Sequence, residues 1–162
     1  MNAPGGAAGM AHLIGGSIDH LGVAVPELSA SAQFYCDVLG LREVGRKVLE
    51  ADGLSVAFLL APQPGLSVEL ISPLPQSRAL TGLLGPHTVQ AFLSDHPQGG
   101  LHHICFRTHD FAGAKARLES NGLPALGHGQ GAMGASGRRV MFFAPVSPSG
   151  MIIEIKEVAA EL

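Results

Sequence analysis

The chain is written twice. From Ile18 it runs as a short apolar strand (IDHLGVAV), a turn, an amphipathic helix, a glycine and three further strands, and from Leu101 the same order returns. This repetition constrains the fold more than composition does, because a lone repeat exposes an apolar face that only its neighbour can cover. In the first copy the helix LSASAQFYCDVLGL takes Ser29 as its N-cap. It sets Leu28, Ala32, Tyr35 and Leu39 at helical spacing and stops at Gly40. The strands REVGRKVL, SVAFLLA (after the Asp52-Gly53 turn) and LSVELISP follow. In the second copy LHHICFRT is the strand, and DFAGAKARLESNGL is a helix capped by Asp110 and stopped by Gly122. The strands PALGH, RRVMFFA and MIIEIKE complete it. The pattern predicts an α+β fold of two paired βαβββ modules whose curved mixed sheet encloses a cleft. The expected boundaries are a flexible leader over 1–16, a first module over 17–75, a partly helical connection over 76–100 and a second module over 101–158.

With 162 residues, 46% hydrophobic and 14% charged, the chain can fill the interior of one such domain. The formal net charge is −3 and no basic run is longer than the pair Arg138–Arg139, which argues against a nucleic-acid partner or an anionic membrane surface. Cys36 and Cys105 lie far apart with no C-x-x-C spacing, so neither a redox pair nor a thiolate zinc site is expected. Both should pack as small apolar residues in a reducing compartment. The opening MNAPGGAAGMAHLIGG lacks the basic start and apolar core of a signal peptide. No apolar run approaches the roughly 18 residues of a membrane span. A soluble, cytoplasmic protein is the expectation.

The repeat also puts chemistry in register. His20 and His103 lie 83 positions apart, Gly40 and Gly122 lie 82 apart, and Glu69 (in VELI) and Glu154 (in IEIK) lie 85 apart. His103, not His102, is therefore the counterpart of His20, and strict alternation along the strand sends His102 to the opposite face. A carboxylate in the middle of an apolar strand is costly unless it is paired or metal-bound. Either glutamate alone also reads as a charge on a solvent face; two histidines and two glutamates at equivalent places in a duplicated unit weaken that reading. Two imidazoles and two carboxylates suit Zn, Ni, Co, Mn or Fe with positions left open. The absence of thiolates argues against a closed structural zinc site. An ion so held would polarise a substrate carbonyl and stabilise an enolate.

The segments IDHLGVAV with FYCDVLGL, VELISPL, LHHICFRTHDFAGAKARLESNG, GASGRRVMFF and GMIIEIKE together resemble the vicinal-oxygen-chelate superfamily and, within it, the methylmalonyl-CoA epimerases. They span Ile18 to about Glu157. The resemblance implies that His20, Glu69, His103 and Glu154 ligate one divalent metal ion (Co, Ni, Zn or Mn), that the substrate is an acyl-CoA, and that the chain forms a homodimer. It implies proton removal on one face of the substrate carbon and replacement on the other, with Glu154 as ligand and base. Some relatives carry a second glutamate where this chain has Val56. Glu69, related to Glu154 by the internal symmetry, becomes the second catalytic candidate, with Glu50 and Asp52 as weaker alternatives. Arg138 and Arg139 are the substrate-binding candidates for a carboxylate or CoA phosphates, or else two solvated edge residues. A His-Pro-Lys-Ser run common in relatives reads APVSPSG here, with Val146 in place of a basic residue, and the 76–100 connection is longer than usual. A glyoxalase I-type lactoylglutathione lyase would use the same four positions, but the usual acidic DPDG turn reads SPSG. An extradiol dioxygenase needs only one carboxylate, so Glu69 argues against it. A metal-free small-molecule-binding protein has no use for the four ligand types.

Overall fold

The computed structural model describes residues 16–75, 82–146 and 150–159. The leader expected over 1–16 lies outside the described residues except for Gly16, as do residues 76–81 of the connection. In chain order the elements are β1 (Ile18–Ala24), α1 (Leu28–Asp37), β2 (Arg42–Leu49), a helical turn (Glu50–Asp52), β3 (Leu54–Leu60), β4 (Ser67–Pro73), α2 (Val89–Asp95), β5 (Gly100–Thr108), α3 (Phe111–Ser120), β6 (Ala132–Met133), β7 (Arg139–Phe143) and β8 (Ile152–Glu157). The strands form one mixed sheet in the order β2-β3-β4-β1-β5-β8-β7-β6. In each half the first strand runs parallel to the last, β1 beside β4 and β5 beside β8. The halves join by antiparallel pairing of β1 with β5. No helix of the described residues is long and apolar enough to cross a membrane.

Alternation along the strands separates helix side from cleft side. On β3 and β4, Ala57, Leu59, Val68 and Leu70 pack with Leu28 and Ala32 of α1. Their neighbours Val56 and Ile71 face the other way and pack towards α2. In the second half Met141, Phe143 and Ile155 receive Phe111, Ala114 and Leu118 of α3. Helices α1 and α3 thus each cover the back of their own half-sheet, while α2 lies on the opposite face beside the cleft.

Three local expectations need correction or refinement. The cap of α1 is Glu27 rather than Ser29: its carboxylate accepts from the Ser29 and Ala30 amides at 2.9 and 2.6 Å. The Ser29 hydroxyl instead accepts from Arg46. Leu39 falls past the helix end and is exposed. PALGH is not a strand: it supplies one isolated bridge, Ala125 to Phe143, and the edge strand is β6. Pro124 has no amide to give a ladder, and Gly127 turns the chain at φ 62°. Asp110 does cap α3, accepting from the Gly113 amide at 2.9 Å, and Gly40 and Gly122 follow their helices at φ 74° and 85°.

Phe143 is fully buried between α3 and the sheet. Phe143→Ala should lower unfolding free energy by about 3–5 kcal/mol, read as a fall in the urea midpoint with little change in slope.

Candidate metal centre

The seam between β1 and β5 places the singled-out side chains. In register, Gly22 pairs with His103 on β5 and with Glu69 on β4, while Cys105 pairs with His20 on β1 and with Glu154 on β8. Each histidine therefore lies across the seam from a small residue whose other neighbour is a glutamate. Small size is needed. A Cβ built at Gly22 would fall 2.0 Å from His103 Cε1, inside the ring's own volume. The strings DHLG and HHIC carry this requirement two residues after each ligand histidine, a signal the sequence reading did not use.

The result is a compact group. His20 Nε2 lies 3.2 Å from His103 Nε2 and 3.3 Å from Glu154 Oε2, and His103 Nε2 lies 3.0 Å from the same oxygen. These three residues are buried. Glu69 stands at the edge, its Oε2 3.8 Å from His20 Nε2. His20, His103 and Glu154 thus come together, with Glu69 one step further out.

His102 departs from the expectation. The β1–β5 ladder skips it between the Gly22–His103 and Val23–Leu101 pairs, and this irregularity cancels the alternation that would have turned it away. Its ring is buried beside His103, Nδ1 to Nδ1 at 3.0 Å, and is edge-on to Phe92. A matching irregularity between Ile18 and His20 skips Asp19, whose Oδ2 lies 2.8 Å from His20 Nδ1. Asp19 and His102 are themselves 83 positions apart. Each copy therefore holds its ligand histidine through Nδ1 by the residue before it, leaving Nε2 directed at the group. Asp19 is fixed in turn by Lys156 on the same oxygen and by Arg107 Nε at 3.1 Å on the other.

Electrostatics follow from this packing. Burial opposes charge on His20, but hydrogen bonds with Asp19, Cys105 and Glu154 and the field of Glu69 outweigh it and lift the imidazole to about 12. Burial likewise opposes the Glu154 carboxylate, and His103 and His20 overcome it, holding it near about 2. Asp19, opposed by burial and favoured by His20 and Lys156, also falls to about 2. Glu69 is pushed upward by burial. Burial, and then His103, push His102 down to about 4, so it is neutral.

Two groups of three among the described residues have metal-ligand spacing: His20, His103 and Glu154, and Asp19, His20 and Cys105. Burial pushes the Cys105 thiol up to about 12 and Asp19 already holds two cations, so the second group is a poor ligand set. In the first, nitrogen and oxygen donors converge on one point, where their neighbours favour a proton on His20. A divalent ion replacing that proton would satisfy the same lone pairs, so the donor set fits one.

The group lies on the floor of a cleft whose walls include Leu54, Val56, Ile71, Val89 and Phe142. Asp52 also lines it; Glu50 is exposed and does not. Arg138 and Arg139 do not line it either. They border a neighbouring hollow that shares Met133 with the cleft, and Arg139 stacks over Phe111 and donates to the Gln130 carbonyl.

Comparison with known proteins adds a family and close relatives. Residues 19–142 match the model of the Glyoxalase/Bleomycin resistance protein/Dioxygenase superfamily. The chain is 35% identical over 144 residues to the ethylmalonyl-CoA/methylmalonyl-CoA epimerase of Cereibacter sphaeroides, covering 88% of this chain and 98% of that one. The crystal structure of methylmalonyl-CoA epimerase from Mycobacterium tuberculosis superposes with a TM-score of 0.72 at 26% identity over 91% of each chain. A methylmalonyl-CoA epimerase solved in complex with methylmalonyl-CoA and NH4+ gives 0.72 at 25% identity, over 90% of this chain and 96% of that one.

Gly22→Ala should displace the His103 ring and lower the divalent-ion content measured by elemental analysis, with a stability loss of about 1–3 kcal/mol from overpacking. The metal-free protein should also show a definite pH profile. Asp19 and Glu154 are depressed from 3.8 and 4.5 to about 2, so their contribution is complete above pH 4.5 and is lost as pH falls towards 2. His20 is raised from 6.5 to about 12, so its contribution is complete below pH 6.5 and declines above it. Urea unfolding in chelator should therefore give greatest stability between pH 4.5 and 6.5, and Asp19→Asn should flatten the acid limb.

Proposed function

The chain belongs to the Glyoxalase/Bleomycin resistance protein/Dioxygenase superfamily, and from that premise we propose that it is an isomerase, a metal-dependent epimerase of methylmalonyl-CoA. The observation that carries this reading is the buried convergence of His20, His103 and Glu154, flanked by Glu69, on the floor of a cleft with largely apolar walls. The epimerase likeness extends over nearly the whole chain. One divalent ion of the Co, Ni, Zn or Mn class would be held by His20, Glu69, His103 and Glu154. When bound, it supplies Lewis-acid polarisation to the thioester carbonyl.

The chain's own residues do the rest. Asp19 and His102 fix the two imidazoles, so the site is set before substrate arrives. The apolar walls exclude water from the reacting carbon. Glu154 is the first acid–base group, and Glu69 is its counterpart across the internal symmetry. The α-hydrogen lies between a thioester and a carboxylate, both of which withdraw electrons from the carbon that bears it. Its removal on one face and return on the other interconverts the epimers. Because the hollow beside Arg138 and Arg139 adjoins the cleft at Met133, a CoA arm leaving the cleft there would meet this basic pair. In this reading the enzyme acts in the cytoplasm as a homodimer; the exposed apolar side chains Phe34, Val38 and Leu39 near the end of α1 support self-association.

The test is proton exchange in heavy water followed by NMR, with each methylmalonyl-CoA epimer supplied separately. The metal-loaded protein should take up deuterium at the α-carbon and interconvert the epimers, and chelator should abolish both until Co, Ni, Zn or Mn is restored. Glu154→Gln should slow exchange from one epimer by about 10²–10⁴-fold and from the other far less, with ion content measured alongside. Turnover of the glutathione hemithioacetal of methylglyoxal, without exchange of methylmalonyl-CoA, would reassign the protein to the lyases.

A further inference from the structure

Three carboxylates line the cleft among the described residues: Glu154, Glu69 and Asp52. The first two rise from the sheet and lie against His20. Asp52 comes from elsewhere, the helical turn Glu50–Asp52 that Gly53 closes at φ 64°. It is half-buried, yet no hydrogen bond or ion pair joins it to any other described residue. An acidic turn residue with no role ordinarily sits in water. Here Gly82 of the connection lies against it: a Cβ at Gly82 would lie 3.8 Å from Asp52 Oδ1. The Gly82 carbonyl is itself pressed against the second module, where a Cβ at Gly127 would fall 2.6 Å from it. Burial alone raises the Asp52 carboxyl above its ordinary value. A desolvated carboxylate with no partner among the described residues costs stability, and its place in the cleft gives that cost a use.

Epimerisation needs two proton carriers on opposite faces of one carbon, so the second has to approach from a different part of the fold than the first. Glu154 is fixed on the floor by both histidines, and Glu69 flanks the same group from the same sheet. Asp52 stands on a separate element, and no described residue engages it. We propose that Asp52 is the second acid–base group, working on the face of the α-carbon away from Glu154; this rests on the epimerase reading and assigns to Asp52 the part that symmetry offers to Glu69. In one direction the Asp52 carboxylate takes the α-hydrogen as a proton, and the electron pair of the broken C–H bond passes into the thioester carbonyl as an enolate. The enolate carbon then takes a proton from the carboxylic acid form of Glu154 on the other face. Asp52 ends protonated and Glu154 ionised, the states from which the reverse reaction starts.

Asp52→Asn keeps the size and removes the proton acceptor. Loss of a desolvated, unpaired carboxyl should leave the thermal midpoint unchanged or higher, and ion content should stay at the wild-type value. In heavy water with methylmalonyl-CoA, conversion between epimers should fall by about 10²–10⁴-fold. Deuterium uptake should persist from the one epimer whose hydrogen faces Glu154. Asp52→Glu should restore part of the conversion, and Asp52→Ser should reproduce the asparagine result if the amide disturbs the turn. Wild-type conversion in folded Asp52→Asn or Asp52→Ser would overturn the inference and return the role to Glu69. Equal loss of exchange from both epimers would also overturn it, because a group serving one face cannot act on both. Absence of exchange in the metal-loaded wild type would overturn the epimerase reading, and the inference with it.

Discussion

The structure depends on how closely β1 and β5 approach across the seam. The two modules share that one antiparallel pairing, and it brings an imidazole from each into the space above a residue of the other. His103 fits because Gly22 has no side chain, and His20 lies opposite Cys105, the small residue at the equivalent place. Strands four to five ångströms apart cannot carry two full side chains through the same volume. The choice at positions 22 and 105 therefore decides whether the ligand atoms meet at all. Cys105 then needs no redox or ligand role. It is buried, its thiol is held neutral by that burial, and its size is what the seam uses.

Much of this was legible in the sequence because duplication leaves arithmetic behind. The near-constant offset of the histidines, glutamates and helix-ending glycines pointed to the order of elements, to His20, His103 and Glu154, which meet, and to Glu69, which stands at their edge. What escaped the reading was whatever breaks regular geometry. Alternation is a rule for regular strands, and the ladder irregularities at Asp19 and His102 suspend it at the two residues that hold the ligand rings. The strand expected at PALGH failed for a similar local reason, since apolar content there is overruled by a proline and a turning glycine. The first helix took its cap from Glu27, whose longer side chain reaches two amides that the Ser29 hydroxyl does not.

The symmetry is broken where the chemistry requires it. His20 is backed by an ionised carboxylate, itself tied to Lys156 and Arg107, whereas His103 is backed by a neutral imidazole. A carboxylate partner raises the basicity of a ligand imidazole and a neutral ring does so less, so the two nitrogen donors are unequal although their positions are equivalent. The walls diverge further. The first module supplies Leu54, Val56 and Ile71 to the cleft together with Asp52, while the second adds Met133, Val140 and Phe142 and no counterpart of Asp52. A site built by duplication begins with matched faces; a reaction that moves a proton from one face to the other needs the two carriers in opposite protonation states.

The same unevenness explains how so much charge is buried. Two carboxylates and two imidazoles removed from water would destabilise the sheet if each were left alone, since partnering recovers only part of the desolvation penalty. Where no ion is bound, Asp19, Glu154 and Glu69 favour a proton on His20, and that attraction returns part of the penalty. That proton occupies the electrostatic place of the ion. Binding a divalent cation must expel it, so affinity for the ion and the acidity of His20 are one equilibrium seen from two sides. Asp19 sets the balance between them: the carboxylate that makes His20 hold its proton also makes the deprotonated ring a better donor. Lys156 and Arg107, by drawing charge from Asp19, weaken both tendencies together. The ion pairs outside the cleft are thus part of what the cleft can bind.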